Sequence, residues 1–124
     1  MSLAGKTILI VEDEPLVAMS LAAEIEAADG SVIGPSNCLA TALAVVEQGA
    51  VDAAVLDVDL NGVEVFPLVD VLLQRSVGLV FTTGFDVQRI PEQYGRIELI
   101  QKPFVATEVI GAILRAFPGG RSDS

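Results

Sequence analysis

Four apolar runs in this chain end in polar residues capable of joint chemistry. Ile8-Leu9-Ile10-Val11 ends in Glu12-Asp13, and Ala53-Ala54-Val55-Leu56 ends in Asp57. Val77 to Phe81 ends in Thr82-Thr83-Gly84, and Ile97 to Ile100 ends in Gln101-Lys102-Pro103. A carboxylate attacks phosphorus to form an acyl phosphate when something neutralises charge on the transferring group and on neighbouring acids. Asp57 is the candidate nucleophile. Glu12, Asp13 and Asp57 brought together without a counter-ion would repel and raise one another's pKa, whereas a divalent cation makes the cluster favourable. Mg²⁺ suits such a site, being hard, octahedral and content with one or two carboxylates plus phosphate. Lys102 offers a compact positive charge and Thr83 a hydroxyl donor to phosphoryl oxygens. Gly84 lets the backbone come close. The set reads as a phosphoryl-accepting site.

Only a particular scaffold brings these clusters together. Compact apolar runs alternate with stretches of helical periodicity, the pattern of βαβ units in a parallel sheet. Strands are expected near 7–11, 31–34, 53–56, 77–82 and 97–100, and helices near 15–28, 39–48, 63–74, 87–94 and 105–117. The strands are rich in Val, Ile and Leu without polar alternation, which fits burial on both faces. Open parallel sheets bind ligands outside the carboxyl ends of their strands, where all four polar clusters fall. Val105, Val109, Ile110, Ile113 and Leu114 mark the last helix as core-facing. Cys38, Met19, Phe66, Phe104 and Phe117 are expected in the core. Adjacent Thr82 and Thr83 point to opposite faces, so only one of them faces the site.

Composition narrows the classes. A chain of 124 residues with 52% hydrophobic content makes one domain with a two-sided core, and no second catalytic domain fits. Seven basic against 17 acidic residues give a net charge of −10, and the cations are scattered, so neither nucleic acid nor an anionic membrane is an expected partner. Lone Cys38 forms no intramolecular disulfide, and no charged, cleavable apolar leader precedes Glu12; the expected location is cytoplasmic. No apolar run reaches the roughly 18 residues of a membrane span. Residues 1–118 are read as the domain and 119–124 as a flexible tail or linker stump, because Pro118-Gly119-Gly120 stops the last helix.

Each residue also has a plainer local reading. Asp57 and Asp59 before Asn61-Gly62 suit a turn or a helix cap. Glu12 and Asp13 before Pro15 suit an N-cap. What favours the joint reading is that all of the groups fall at strand C-termini of one sheet.

Val11-Glu12-Asp13-Glu14-Pro15, Leu56-Asp57, Thr83-Gly84 and Lys102-Pro103-Phe104, in this order and spacing, resemble the receiver domain of two-component response regulators. The resemblance covers essentially the whole chain. It implies a flavodoxin-like (βα)5 three-layer α/β sandwich whose parallel five-stranded sheet has the order 2-1-3-4-5. It further implies that a sensor histidine kinase or histidine phosphotransferase phosphorylates Asp57. Glu12, Asp13 and Asp57 would hold Mg²⁺ with the Asp59 backbone carbonyl, and Thr83 and Lys102 would bind the phosphoryl group. Signalling would then proceed by phosphorylation-dependent protein–protein contact, including homodimerisation, rather than by enzyme turnover.

The resemblance also implies that Thr83 and Lys102 relay the phosphoryl group's arrival to the surface around the fourth helix, fifth strand and fifth helix, and two features bear on that relay. Leu99 stands three before Lys102, where many receivers carry an aromatic switch residue. Phe81-Thr82-Thr83-Gly84-Phe85 is similar to the pattern of a subgroup whose members are often stand-alone, which makes Phe85 a candidate moving side chain. The expected protein is a single-domain, stand-alone regulator, with a receiver excised from a longer regulator or hybrid kinase as the alternative.

Rival classes are also visible. Asp57-Val58-Asp59 with downstream Thr83 and Lys102 looks like the haloacid dehalogenase phosphatases. That family places its metal-binding acids after the lysine, however, whereas Glu12 and Asp13 stand near the start. Asp57, Asp59, Asn61 and Gly62 begin an EF-hand pattern, but Leu68 stands where that loop needs Glu, and a strand rather than a helix precedes Asp57. A degenerate receiver acting by binding alone is the remaining alternative.

Overall fold

The apolar runs form strands because helices on both sides cover them, so alternation would bring no benefit. The computed structural model describes residues 2–60, 63–84 and 90–117. Within them the chain runs β1 (Thr7–Val11), α1 (Pro15–Ala27), β2 (Ser31–Ser36), α2 (Leu39–Gln48), β3 (Ala53–Asp57), β4 (Asp59–Leu60) and β5 (Val63–Glu64). It continues with α3 (Phe66–Gln74), β6 (Gly78–Thr83), a 3-10 turn (Glu92–Tyr94), β7 (Glu98–Gln101) and α4 (Ala106–Ala116). The main sheet is parallel with the order β2-β1-β3-β6-β7, the expected 2-1-3-4-5 arrangement of a flavodoxin-like fold.

Side-chain alternation divides the core in two. Leu9, Val11, Ala54, Leu56, Leu79 and Phe81 face one cluster with Val46, Leu68 and Leu72 from α2 and α3. Ile8, Ile10, Ala53, Val55, Val80 and Ile100 face the other, with Leu21 and Ile25 from α1 and Val109 and Ile113 from α4. The three central strands β1, β3 and β6 carry almost wholly buried residues. They are the rigid platform on which the polar strand ends stand.

Several boundaries differ from the sequence reading for identifiable reasons. The strand expected at 31–34 extends to Ser36 through an irregularity opposite Leu9 to Val11. Gly34 there has φ +94°, and a Cβ would lie 2.7 Å from the Ser36 nitrogen and 3.0 Å from the Ile10 oxygen, so glycine is required. The helix expected at 63–74 begins only at Phe66, with Pro67 in its first turn. Val63–Glu64 instead pairs antiparallel with Asp59–Leu60.

The helix expected at 87–94 falls partly on residues 85–89, outside the described residues. Pro91 is extended at ψ 145°, and the described remainder is a single 3-10 turn, Glu92–Tyr94. The described residues therefore hold four α-helices.

Three residues expected to face the core lie at the surface. Val105, placed on the core stripe of the last helix, is 61% exposed because it is the N-cap of α4, ahead of the first helical turn. Met19 is 65% exposed because α1 buries the stripe Ala18, Leu21 and Ile25, which position 19 misses. Cys38 is exposed at the N-cap position of α2, with Sγ 3.1 Å from the Thr41 hydroxyl. Phe66 is buried, and Phe104 and Phe117 pack half-buried against the second cluster.

Candidate functional site

The carboxyl ends of β1, β3, β6 and β7 bring together residues that lie up to 90 positions apart in sequence. Asp57 is the last residue of β3 and is 4% exposed. Glu12 follows β1 directly and is 3% exposed. Its backbone N–H donates to the Ser36 carbonyl at 3.0 Å, which continues the sheet pairing past the formal end of the strand. Glu12, Asp13 and Asp57 each offer a carboxylate oxygen, and these oxygens lie within 4.8 Å of one another.

Lys102 reaches into this cluster from beyond β7. Its Nζ stands 3.3 Å from Asp57 Oδ2, and 3.0 and 3.1 Å from Glu12 Oε1 and Oε2. It also donates to Glu14 Oε1 at 2.6 Å. The Lys102–Pro103 peptide is cis, and the Lys102 backbone N–H donates to the Thr83 carbonyl at 2.8 Å, fixing the lysine against the end of β6. The lysine stem passes Gly84, where a Cβ would be 4.0 Å from Lys102 Cδ.

Burial governs the electrostatics. Loss of water pushes the Glu12 carboxyl up to about 7, opposed by the Glu14 N–H on Oε2, reinforced by the charge of Asp57 and opposed again by Lys102. For Lys102, burial alone would lower the pKa. The carboxylates of Glu14, Glu12 and Asp57 outweigh it, and the ammonium is held above its ordinary value. Lys102 thus serves Glu12, Glu14 and Asp57 together.

The acids also meet the donor requirements of a hard cation. Glu12 Oε1 is buried and has no hydrogen-bond partner, although the ammonium is near. A buried carboxylate oxygen in that condition, beside two further carboxylates, fits a divalent ion that takes oxygen ligands.

The other expected residues are placed as follows. Asp59 lies in β4, two positions beyond Asp57, with its backbone in register with Glu64. Thr83 closes β6, is 2% exposed and follows Phe81 in the alternation. Thr82 follows Val80 and stands in register with Asp57 and Ile100, so of the two adjacent threonines it is Thr82 that shares the sheet face of Asp57, while Thr83 borders the site only at the end of the strand. Phe85 lies outside the described residues. Leu99 is half-buried, in register with Phe81, against the first cluster.

The N-cap reading of Glu12 and Asp13 is corrected in part. The N-cap of α1 is Glu14, without a side-chain cap, while Glu12 Oε2 accepts the Glu14 N–H at 3.1 Å. The sequence reading gave Glu14 no role, yet it makes the shortest contact to Lys102. Its place directly after two acids was the available signal.

A parallel 2-1-3-4-5 sheet with an acid cluster and a lysine at the strand ends defines a class, flavodoxin-like α/β domains with a charged site at the carboxyl edge of the sheet. No family model and no curated protein matches this chain. Solved structures do. SdrG from Sphingomonas melonis Fr1 is 39% identical over 91% of this chain and 96% of that one, with a TM-score of 0.79. SdrG from Pseudomonas melonis Fr1 in its BeF3-activated conformation is also 39% identical, over 90% and 98%, with a TM-score of 0.75. The receiver domain of the TMAO respiratory system response regulator TorR is 26% identical over 87% and 92%, with a TM-score of 0.74. The response regulator PhyR from Brucella abortus is 25% identical over 94% of this chain but 49% of its own length, with a TM-score of 0.79. The chain belongs to the response regulator receiver domains.

Proposed function

We propose that this receiver accepts a phosphoryl group on Asp57 from a sensor histidine kinase or a histidine phosphotransferase, and signals through phosphorylation-dependent contact with another protein. The observation that carries this reading is the convergence of Lys102 Nζ on Asp57 and Glu12 at one sheet edge, within a cluster of three carboxylates. An Asp57 oxygen attacks phosphorus, and the bond from phosphorus to the donor breaks with its electron pair leaving on the donor. Lys102, already charged and positioned, turns from the carboxylates towards a phosphoryl oxygen, and Thr83, which is the last residue of β6 and lies on the face opposite Thr82, donates to another from the end of the strand. Glu12, Asp13 and Asp57, with the Asp59 carbonyl, would hold Mg²⁺. The ion would neutralise acid and phosphoryl charge together.

The solved relatives are signalling proteins, which supports reading this chain as a phosphoryl acceptor rather than a phosphatase. Residues 1–118 would be the receiver and 119–124, which lie outside the described residues, a tail or linker. Its place would be the cytoplasm, where a kinase can reach it; no described helix is long and apolar enough to cross a membrane. Homodimerisation on phosphorylation is part of the same reading.

The test is intact-mass spectrometry after incubation with acetyl phosphate and Mg²⁺. A single phosphoryl adduct that disappears in Asp57→Ala and on chelation is expected. Phosphate release without an adduct would restore the phosphatase reading, and neither adduct nor release would indicate a receiver that acts by binding alone.

A further inference from the structure

Thr82 carries a buried hydroxyl to which no role has yet been given. The residue is 1% exposed, and its Oγ1 has no hydrogen-bond partner. Valine would fill the same space without the cost of an unsatisfied hydroxyl, so local packing does not account for threonine here.

Its position is informative. Thr82 is the register partner of Asp57 across the β3–β6 ladder. Partners in a parallel ladder present their side chains on the same face, as Val55 and Val80 do by both entering the second core cluster. The Asp57 carboxyl and the Thr82 hydroxyl therefore rise from adjacent strands, about 4.8 Å apart, on one face of the sheet. Lys102 Nζ lies 3.3 Å from Asp57 Oδ2 in this arrangement, while the hydroxyl makes no hydrogen bond.

We propose that Thr82 is a positioning residue for phosphoryl transfer, its hydroxyl donating to the Asp57 oxygen that does not attack phosphorus. This rests on the phosphoacceptor reading above. One Asp57 oxygen forms the new bond to phosphorus, while the bond from phosphorus to the donor's leaving atom breaks and its electron pair stays with the donor. The second oxygen becomes the acyl carbonyl oxygen and takes the Thr82 hydrogen bond. No proton changes owner. The hydroxyl fixes the rotation of the carboxyl when Lys102 turns to the phosphoryl group, and an unsatisfied donor in the resting state is what that later role requires.

The experiment follows adduct formation by intact mass with acetyl phosphate and saturating Mg²⁺, in wild type, Thr82→Val and Thr82→Ser. Loss of one neutral hydrogen bond predicts a rate about fivefold lower in Thr82→Val, with Thr82→Ser within about twofold of wild type. The metal-free melting temperature of Thr82→Val should be no lower than that of wild type. Should valine disturb packing, Thr82→Ala and Thr82→Ser both lack the methyl group, and their difference isolates the hydroxyl. Wild-type rates in Thr82→Val, or a Thr82→Ser variant as slow as Thr82→Ala, would overturn the proposal. A wild type that forms no adduct would instead remove the phosphoacceptor reading, and this inference with it.

Discussion

Cation binding at the acid cluster should be linked to a proton, and the linkage can be worked out from Glu12. Burial holds its carboxyl up to about 7 in the metal-free protein. A divalent ion requires the carboxylate, so at pH 7 Mg²⁺ binding should release about half a proton from this group. The apparent affinity should fall roughly thirtyfold between pH 8 and pH 5.5, because the protonated fraction competes with the metal. Isothermal titration calorimetry in two buffers of different ionisation enthalpy counts the protons directly.

The stability of the metal-free protein has a related dependence. A carboxyl whose folded pKa is raised contributes stability that is fully present below its unfolded value, near 4.5, and lost as pH rises through about 7. The loss is on the order of 3 kcal/mol for this nearly inaccessible group. The metal-free protein should thus be less stable at pH 8 than at pH 6, and saturating Mg²⁺ should abolish or invert that trend. Glu12→Gln should bind Mg²⁺ weakly and without proton release. Equal Mg²⁺ affinity at pH 5.5 and pH 8, with no buffer dependence, would refute the assignment of Glu12 as a ligand held protonated by burial.

Three further outcomes are expected. Lys102→Met leaves buried Glu12 beside Asp57 without its ammonium; at pH 8 and without metal it should lose about 3 kcal/mol in urea denaturation, much of it recovered with Mg²⁺. Asp13→Asn should abolish most of the rise in melting temperature that millimolar Mg²⁺ gives the wild type, a rise corresponding to about 2.7 kcal/mol at a hundredfold excess over the dissociation constant. Gly78→Ala tests the packing of α4 on β6: a Cβ would stand 2.5 Å from the Ala116 carbonyl oxygen, so thermal melting should show about 1–3 kcal/mol of destabilisation.

The sheet was legible because its strands are apolar on both faces, and an unbroken run such as Ala53 to Leu56 leaves few alternatives at that length. The meeting of Glu12, Asp57 and Lys102 was legible for a related reason: parallel topology sends every strand's C-terminus to the same edge. What failed depends on longer-range geometry. Periodicity is shared by the helix proper and by the ribbon before it, so Val63–Glu64 reads as helix until its pairing with Asp59–Leu60 is known. Met19 is hydrophobic but falls off the stripe that packing selects on α1. Glu14 was passed over because its partner lies 88 residues away.

Charge balance explains why the lysine and the acids occupy one another before any ligand arrives. Glu12, Asp13, Glu14 and Asp57 would bring four negative charges to the sheet edge, and Lys102 is the ammonium that reaches three of them. Two of those three, Glu12 and Asp57, are nearly inaccessible to solvent, where charge is least screened. Because the carboxylates hold Lys102 through charge, any cation that takes over their neutralisation weakens that hold and frees the ammonium for a newly arrived anion. The same competition predicts that a neutral side chain at position 102 should raise Mg²⁺ affinity while it lowers metal-free stability. A residue whose loss improves metal binding and impairs folding is a counter-ion standing in for the metal. A variant with weaker Mg²⁺ binding would instead mean that Lys102 organises the carboxylates.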